Sequence, residues 1–173
     1  MKVFGLVGRS GTGKTTLMIK LLDEVIARGY RVSTMKHTHH DFDLDQPGKD
    51  SFEHRRAGAE EVLLTSSRRW AVLHELKGSA EPDMDTLLTK MTPVDLVLVE
   101  GFKKHKYPKL EIHRRAIDNP LQCLDDAAIV AVASDEALPN APVPVLDLND
   151  FSAVADFILD HLGLKRSRQD RAS

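Results

Sequence analysis

The chain has 173 residues, 42% of them apolar and 29% charged, which suits one globular domain and excludes disordered and collagen-like chains. Its 24 Lys and Arg against 26 Asp and Glu give a net charge of −2, too balanced for a protein that coats nucleic acid through a surplus of cations. Cys123 is the one cysteine, which excludes an internal disulfide and any CxxC metal or redox motif.

In chain order, Val3, Phe4, Leu6 and Val7 predict a strand that stops at Gly8. Met18, Leu22, Val25 and Ile26 then recur at helical spacing, and Gly29 stands where a left-handed C-cap belongs. Arg31 to Met35 reads as a second strand, and residues 36–49 (KHTHHDFDLDQPGK) as a long loop of the kind that carries function. Asp50 to Glu53 resembles a capping box opening a short helix that ends near Gly58. Val62 to Thr65 and Trp70 to Leu73 read as a hairpin through Ser66 and Ser67, with Trp70 expected in the core and an exposed interface as the alternative. Asp83 is predicted to cap a helix reaching about Met91.

Asp95 to Val99 is a continuous apolar run after one acid, the pattern of a strand buried on both faces, and it ends at Glu100 and Gly101. Further strands are predicted over Lys109 to His113, Ala128 to Ala133 and Val143 to Leu146, the last at an edge because of Pro142 and Pro144. Asn149 or Asp150 caps a final amphipathic helix, and residues 165–173 (KRSRQDRAS) read as a disordered basic tail behind a single domain of residues 1–164. Alternating strands and helices predict an α/β three-layer domain with a mostly parallel central sheet and some antiparallel strands. The opening MKVFGLVG is too short for a signal peptide and no window approaches a membrane span. The expectation is therefore a cytoplasmic protein without membrane or nucleic-acid partners.

Gly8-Arg9-Ser10-Gly11-Thr12-Gly13-Lys14-Thr15 satisfies GxxxxGK[ST] between a predicted strand and a predicted helix, the setting of a P-loop NTPase-type domain. Glycines let successive backbone N–H groups converge on a polyphosphate, and the positive end of the helix dipole favours the same charge. Lys14 would reach the β- and γ-phosphates, Thr15 would place its hydroxyl on Mg²⁺, and Thr16 would donate to an α-phosphate oxygen. Glu100, delivered by the buried strand, is the carboxylate expected to hold the hydrated ion or to polarise an attacking water. Asp95 lies at the far end of that strand and is assigned a local pairing.

Three of the eight histidines fall in Lys36-His37-Thr38-His39-His40-Asp41. Lys36 and His37 are expected to clamp or sense the terminal phosphate. A metal site from His37, His39, His40 and Asp41 is the alternative, although spacings of two and one do not fix a tetrahedral geometry. The pairs Arg55-Arg56, Arg68-Arg69 and Arg114-Arg115 each read as one structural and one solvated arginine, with an anion-binding patch as the alternative if they meet in space. Lys103, Lys104, His105 and Lys106 concentrate positive charge behind Glu100, and with Tyr107 they read either as a dock for a phosphorylated ligand or partner or as a solvated loop.

In this order, GRSGTGKTT, KHTHHD with DQPGKDS, RRAGA and VEGFK make the chain resemble the molybdopterin-guanine dinucleotide biosynthesis protein B (MobB) family over nearly its whole length. That resemblance implies a cytoplasmic GTP-binding protein with weak GTPase activity, dimeric, using GTP and Mg²⁺. It further implies that the protein assists the guanylyltransferase that attaches GMP to molybdopterin, with molybdoenzymes and molybdopterin itself as further partners. Carried onto this chain, the phosphate site is Gly11 to Thr16, the Mg²⁺ ligands are Thr15 and Glu100, and the second-strand loop is Lys36 to Asp41. The NKxD base-reading motif of regulatory GTPases is absent. Asp135, ending a late strand where such proteins contact the base, is the candidate reader of guanine N1 and N2. A small-molecule kinase and a histidine-loop metallochaperone GTPase are the alternative functions.

Overall fold

A computed structural model of the chain describes residues 1–38, 42–102, 105–117 and 119–164. The predicted tail and residues His39, His40, Asp41, Lys103 and Lys104 lie outside the described residues. In chain order the elements are β1 (Lys2–Val7), α1 (Lys14–Ala27), β2 (Val32–Lys36), α2 (Asp50–Arg56), β3 (Glu61–Thr65), β4 (Trp70–His74), α3 (Met84–Thr89), β5 (Leu96–Glu100), β6 (Lys109–His113), a short 3₁₀ helix (Gln122–Leu124), β7 (Ile129–Ser134), β8 (Val145–Asp147) and α4 (Phe151–His161). They form two compact units: Met1–His37 with the chain from Thr92 onward, and Thr38–Met91.

In the first unit six strands pair in the order β2-β5-β1-β6-β7-β8, every pairing parallel. Among the described residues, antiparallel pairing is confined to β3 and β4 of the second unit. Parallel strands are buried on both faces, and β5 shows why its sequence is continuously apolar: Leu96, Val97, Leu98 and Val99 have no accessible surface. Phe4, Leu6, Leu98, Leu110 and Ile112 pack with Leu17, Leu21 and Val25 of α1 and Val154 and Ile158 of α4. Burial of each such side chain contributes about 1.5–3 kcal/mol. Val7, Cys123, Ile129 and Val132 form a smaller cluster, and burial, with Glu111 beside it, pushes the Cys123 thiol up.

The buried stripe of α1 is Leu17, Met18, Leu21 and Val25, whereas Ile26 is exposed. Ile26 therefore does not belong to the core stripe that its spacing suggested, because α1 begins at Lys14 and turns positions 17, 21 and 25 to the sheet. Gly29, at φ 81°, ends the helix. Its N–H donates to Ile26 O at 2.8 Å and the Tyr30 N–H to Val25 O at 3.3 Å, the paired bonds of a Schellman cap. Just before it Arg28 ties α1 to α4, bonding Glu24, Asp156 Oδ1 at 3.1 Å and Ser152 Oγ at 2.9 Å. The expected cap of α4 is present, Asp150 accepting from the Ala153 N–H at 2.9 Å.

In the second unit Asp83 caps α3 through the Thr86 N–H at 2.7 Å, as expected. The capping box is not formed, because Lys49 is the N-cap of α2 and Asp50 already lies inside the helix. Charge holds this region instead: Arg55 bonds Asp45 at 2.6 Å, Asp43 at 2.8 Å and Glu75 at 3.0 Å. Trp70, expected in the core, is 65% exposed. A two-stranded sheet has one face to bury, and here Val62 takes it, while the opposed pairs Leu63↔Val72 and Thr65↔Trp70 share the other.

Candidate functional site

β1 stops at Val7 and the chain up to Lys14 turns through three glycines with positive φ: Gly8 at 151°, Gly11 at 82° and Gly13 at 94°. At Gly8 a Cβ would lie 2.7 Å from Ile112 O and 2.9 Å from Thr12 Oγ1, so only glycine fits between β6 and the loop. Thr12 is buried and closes the turn, its hydroxyl donating to Arg9 O at 2.9 Å. Gly13, left-handed, is the N-cap of α1; among the described residues no side chain caps this end and no acid lies in its first turn. The first-turn N–H groups and the positive end of the helix dipole thus make an arrangement that favours an anion, with Thr15 and Thr16 exposed beside it. Lys14 Nζ donates to Gly8 O at 3.0 Å and Arg9 O at 2.8 Å, folded back over the loop.

The sheet register assembles the other side. Glu100 pairs in register with Leu6 on one flank and Lys36 on the other, and neighbouring strands lie only about 4.8 Å apart. The chain leaving β2 is fixed to the chain leaving β5: the His37 N–H donates to Glu100 O at 2.8 Å, and the His37 and Phe102 rings stand 4.9 Å apart. Gly101, at φ 106°, lies so close that a Cβ there would be 2.6 Å from His37 O. Lys36, His37, Glu100 and Gly101 therefore meet at the carboxyl end of the sheet, beside the strand that carries Gly8 to Thr16. The chain order reverses there, β1 connecting to β2 on one side while β6 lies on the other, which is where open α/β sheets bind ligands. Asp95, at the opposite end of β5, accepts from the Arg31 N–H at 2.7 Å, the local pairing expected of it.

Asp135 follows β7, two strands from β1. Its Oδ1 accepts from the Arg115 N–H at 2.9 Å and its Oδ2 faces Arg114 Nη1 at 3.4 Å. The Arg115 N–H, then the Arg114 charge, hold its carboxyl below the usual range. Sequence reasoning singled out Arg114 only as one of a pair and missed its contact: its Nε donates to Thr12 O at 2.9 Å inside the phosphate loop. The missed signal is positional: a residue just past the end of β6, beside β1, must emerge next to that loop. Arg115 is 83% exposed, so this pair divides into one bound and one solvated arginine; Arg55 and Arg56 divide likewise, whereas Arg68 and Arg69 are both exposed. A shallow depression flanks the loop, lined in part by Arg9, Thr12, His113, Arg114 and Asn119. Of the alternative metal site only His37 is described, and among the described residues no three His, Cys, Asp or Glu side chains converge to hold a metal.

A parallel sheet with a phosphate loop after its first strand and an acid ending the neighbouring strand defines a P-loop protein. Residues 3–135 match the family described as Molybdopterin guanine dinucleotide synthesis protein B (MobB), and the chain belongs to that family. It is 44% identical to the "Molybdopterin-guanine dinucleotide biosynthesis adapter protein" of Escherichia coli K12, covering 87% of each chain. It is 41% identical to the protein of the same name from Haemophilus influenzae, covering 90% of this chain and 86% of that one. Two solved structures share the fold. "Crystal Structure of molybdopterin-guanine biosynthesis protein B (mobB)" has TM-score 0.73 at 24% identity over 92% of this chain and 99% of that one. "The Crystal structure of Bacillus subtilis MobB" has TM-score 0.72 at 22% identity over 94% and 98%. Membership ties the chain to molybdopterin guanine dinucleotide synthesis. Among the described residues no helix is long and apolar enough to cross a membrane.

Proposed function

We propose that the chain is a GTP-binding adapter of this synthesis with slow GTPase activity, working in the cytoplasm with the guanylyltransferase that joins GMP to molybdopterin and with the molybdoenzymes that receive the product. One observation carries the reading: the Gly8 to Thr16 loop and the group Lys36, His37, Glu100 and Gly101 stand at the same, carboxyl, end of adjacent strands. The Gly11 to Lys14 backbone and Thr16 bind phosphate oxygens, and Lys14 exchanges Gly8 O and Arg9 O for the β- and γ-phosphates. The donor set fits Mg²⁺, a hard cation, since Thr15 offers a hydroxyl and Glu100 a carboxylate. Bound there, the ion would offset phosphate charge. Lys36 and His37 approach the terminal phosphate, and Gly101 lets their backbone lie against β5.

Slow turnover is supported by the state of Arg114, whose guanidinium is engaged by Thr12 O and Asp135 rather than extended as an arginine finger. Asp135 retains carboxylate lone pairs beyond those facing Arg114 and Arg115, and these accept from guanine N1 and N2. The apolar face of Leu63, Trp70 and Val72, all exposed, supports a homodimer.

The test compares GTP and ATP affinity of the protein with those of Lys14→Ala and Asp135→Ala. Lys14→Ala should abolish binding of both nucleotides, and Asp135→Ala should erase the preference for GTP. Retained affinity in the first would refute the phosphate site; unchanged discrimination in the second would remove Asp135 from the base site. A pull-down with and without GTP, scored for the guanylyltransferase and for molybdoenzymes, tests the adapter role, and rapid multiple turnover by the isolated chain would count against it.

A further inference from the structure

Arg114 is given no role in binding nucleotide by the proposed chemistry, yet it touches the phosphate loop itself. Its Nε donates to Thr12 O at 2.9 Å. The guanidinium lies along Gly13, where a Cβ would stand 3.3 Å from Nη2 and 3.5 Å from Nε. Its far side meets Asp135 Oδ2 at 3.4 Å, and Asp135 is itself anchored by the Arg115 N–H at 2.9 Å.

Peptide geometry gives this contact a consequence. In a trans peptide the carbonyl of one residue and the N–H of the next lie in one plane and point in opposite directions, and no peptide among the described residues is cis. Holding Thr12 O outward on Arg114 therefore turns the Gly13 N–H the other way, into the hollow of the loop. A glycine with a left-handed φ of 94° has no Cβ to restrict that plane, so an external donor must fix it. We propose that Arg114 is a positioning residue of the phosphate loop: through Thr12 O it aims the Gly13 N–H at the polyphosphate, and Asp135 holds Arg114 in place. The assignment rests on the nucleotide-binding reading. It gives Asp135 a duty toward the phosphates as well as any toward the base, and it makes the space over Gly13 a guanidinium seat.

Tripolyphosphate, which has no base, separates these duties. Its affinity and that of GTP, both with Mg²⁺, are measured for the protein and for Arg114→Gln, Arg114→Lys, Asp135→Asn and the double variant Arg114→Gln/Asp135→Asn, with melting curves showing that each folds. Loss of one charge-assisted hydrogen bond predicts about a ten-fold weakening of both ligands in Arg114→Gln. Arg114→Lys keeps the charge but not the planar fork, so it should recover only part of the loss. Asp135→Asn should weaken tripolyphosphate too, and the double variant should be no weaker than Arg114→Gln alone, because both changes act through one strut. The Gly13 amide resonance of ligand-free ¹⁵N-labelled Arg114→Gln should also move or broaden.

Wild-type affinity for tripolyphosphate in folded Arg114→Gln would overturn the proposal while leaving nucleotide binding intact. Full recovery in Arg114→Lys would overturn it in favour of a plain charge effect. Absence of binding by the unaltered protein would instead bring down the nucleotide reading, and this assignment with it.

Discussion

At Gly101 the backbone takes a φ of 106°, and the space where a side chain would begin is filled by His37 O at 2.6 Å. Alanine there meets two penalties together, a disfavoured conformation costing about 1–3 kcal/mol and a collision with backbone that only displacement of the β2 exit can relieve. Gly101→Ala should therefore lower the urea midpoint and, at temperatures where the variant stays folded, reduce GTP turnover more than GTP affinity, because the phosphate loop is carried by a different strand. Equal losses in kcat and affinity would show that the Glu100 side does not act separately from the loop. Glu100→Gln gives the complementary result: the side chain keeps its size but loses its charge, so the Mg²⁺ concentration for half-maximal GTP binding should rise several-fold with little change in melting temperature. Residues of this kind were legible in the sequence because their chemistry is local and ordered, GxxxxGKT on one strand exit and VEG on another. Arg114 was not, because its partner Thr12 is 102 positions away and only the pairing of β6 with β1 brings them together.

At the scale of elements, the seam between α1 and α4 depends on one side chain. Arg28 is largely covered, and it reaches Glu24 within α1 and Ser152 and Asp156 on α4. Arg28→Ala removes these bonds and the packing of its stem. It should cost about 1–2 kcal/mol, read as a lower urea midpoint with unchanged nucleotide affinity, since the seam lies away from the carboxyl ends of the strands. The hairpin behaves in the opposite sense. Leu63 is 63% and Trp70 65% exposed, so Leu63→Lys with Trp70→Lys should leave the melting temperature of dilute protein unchanged while shifting sedimentation toward monomer; a dimer indifferent to both changes would place its interface elsewhere. Element type was readable from periodicity at α1 and β5, but the bearing of each face was not. Ile26 and Trp70 satisfy the apolar pattern and still face outward, because a pattern records spacing and the orientation depends on where the element begins and how many of its faces have something to pack against. The capping box failed for a related reason: Arg55, gathering Asp43, Asp45 and Glu75, fixes α2 through charges spread over 33 residues, and no local motif announces that.

For the molecule as a whole, paired carboxylates and one buried phenol set opposite limits on stability against pH. Arg55 holds Asp45 below the usual carboxylate range, Lys77 does the same for Glu60, and the Arg115 N–H with Arg114 does so for Asp135. At Asp126 burial acts upward, but the hydrogen bond from Lys109, at 2.8 Å, the Ala128 N–H and the Lys109 charge together outweigh it. Each of these groups binds its proton less tightly folded than unfolded, so each contributes stability above its unfolded value, near 4, and loses it as pH falls through the lower folded value. Tyr107 works the other way. Its ring lies where a Cβ on Gly5 would stand, its hydroxyl donates to Phe102 O at 2.8 Å, and burial raises its ionisation well above the ordinary tyrosine range. The unfolded phenol ionises near 10, so above that pH the unfolded state gains and stability falls by up to about 1.4 kcal/mol per pH unit. Urea midpoints should accordingly form a plateau from about pH 5 to 9 with a decline on each side. Tyr107→Phe should be less stable at pH 7 by about 1 kcal/mol for the lost hydrogen bond, yet converge on the unaltered protein between pH 10 and 12, because a phenyl ring has no proton to lose. Curves that stay parallel across that interval would mean that Tyr107 ionises as readily in the folded chain as in the unfolded one, and that the alkaline limit lies with other groups.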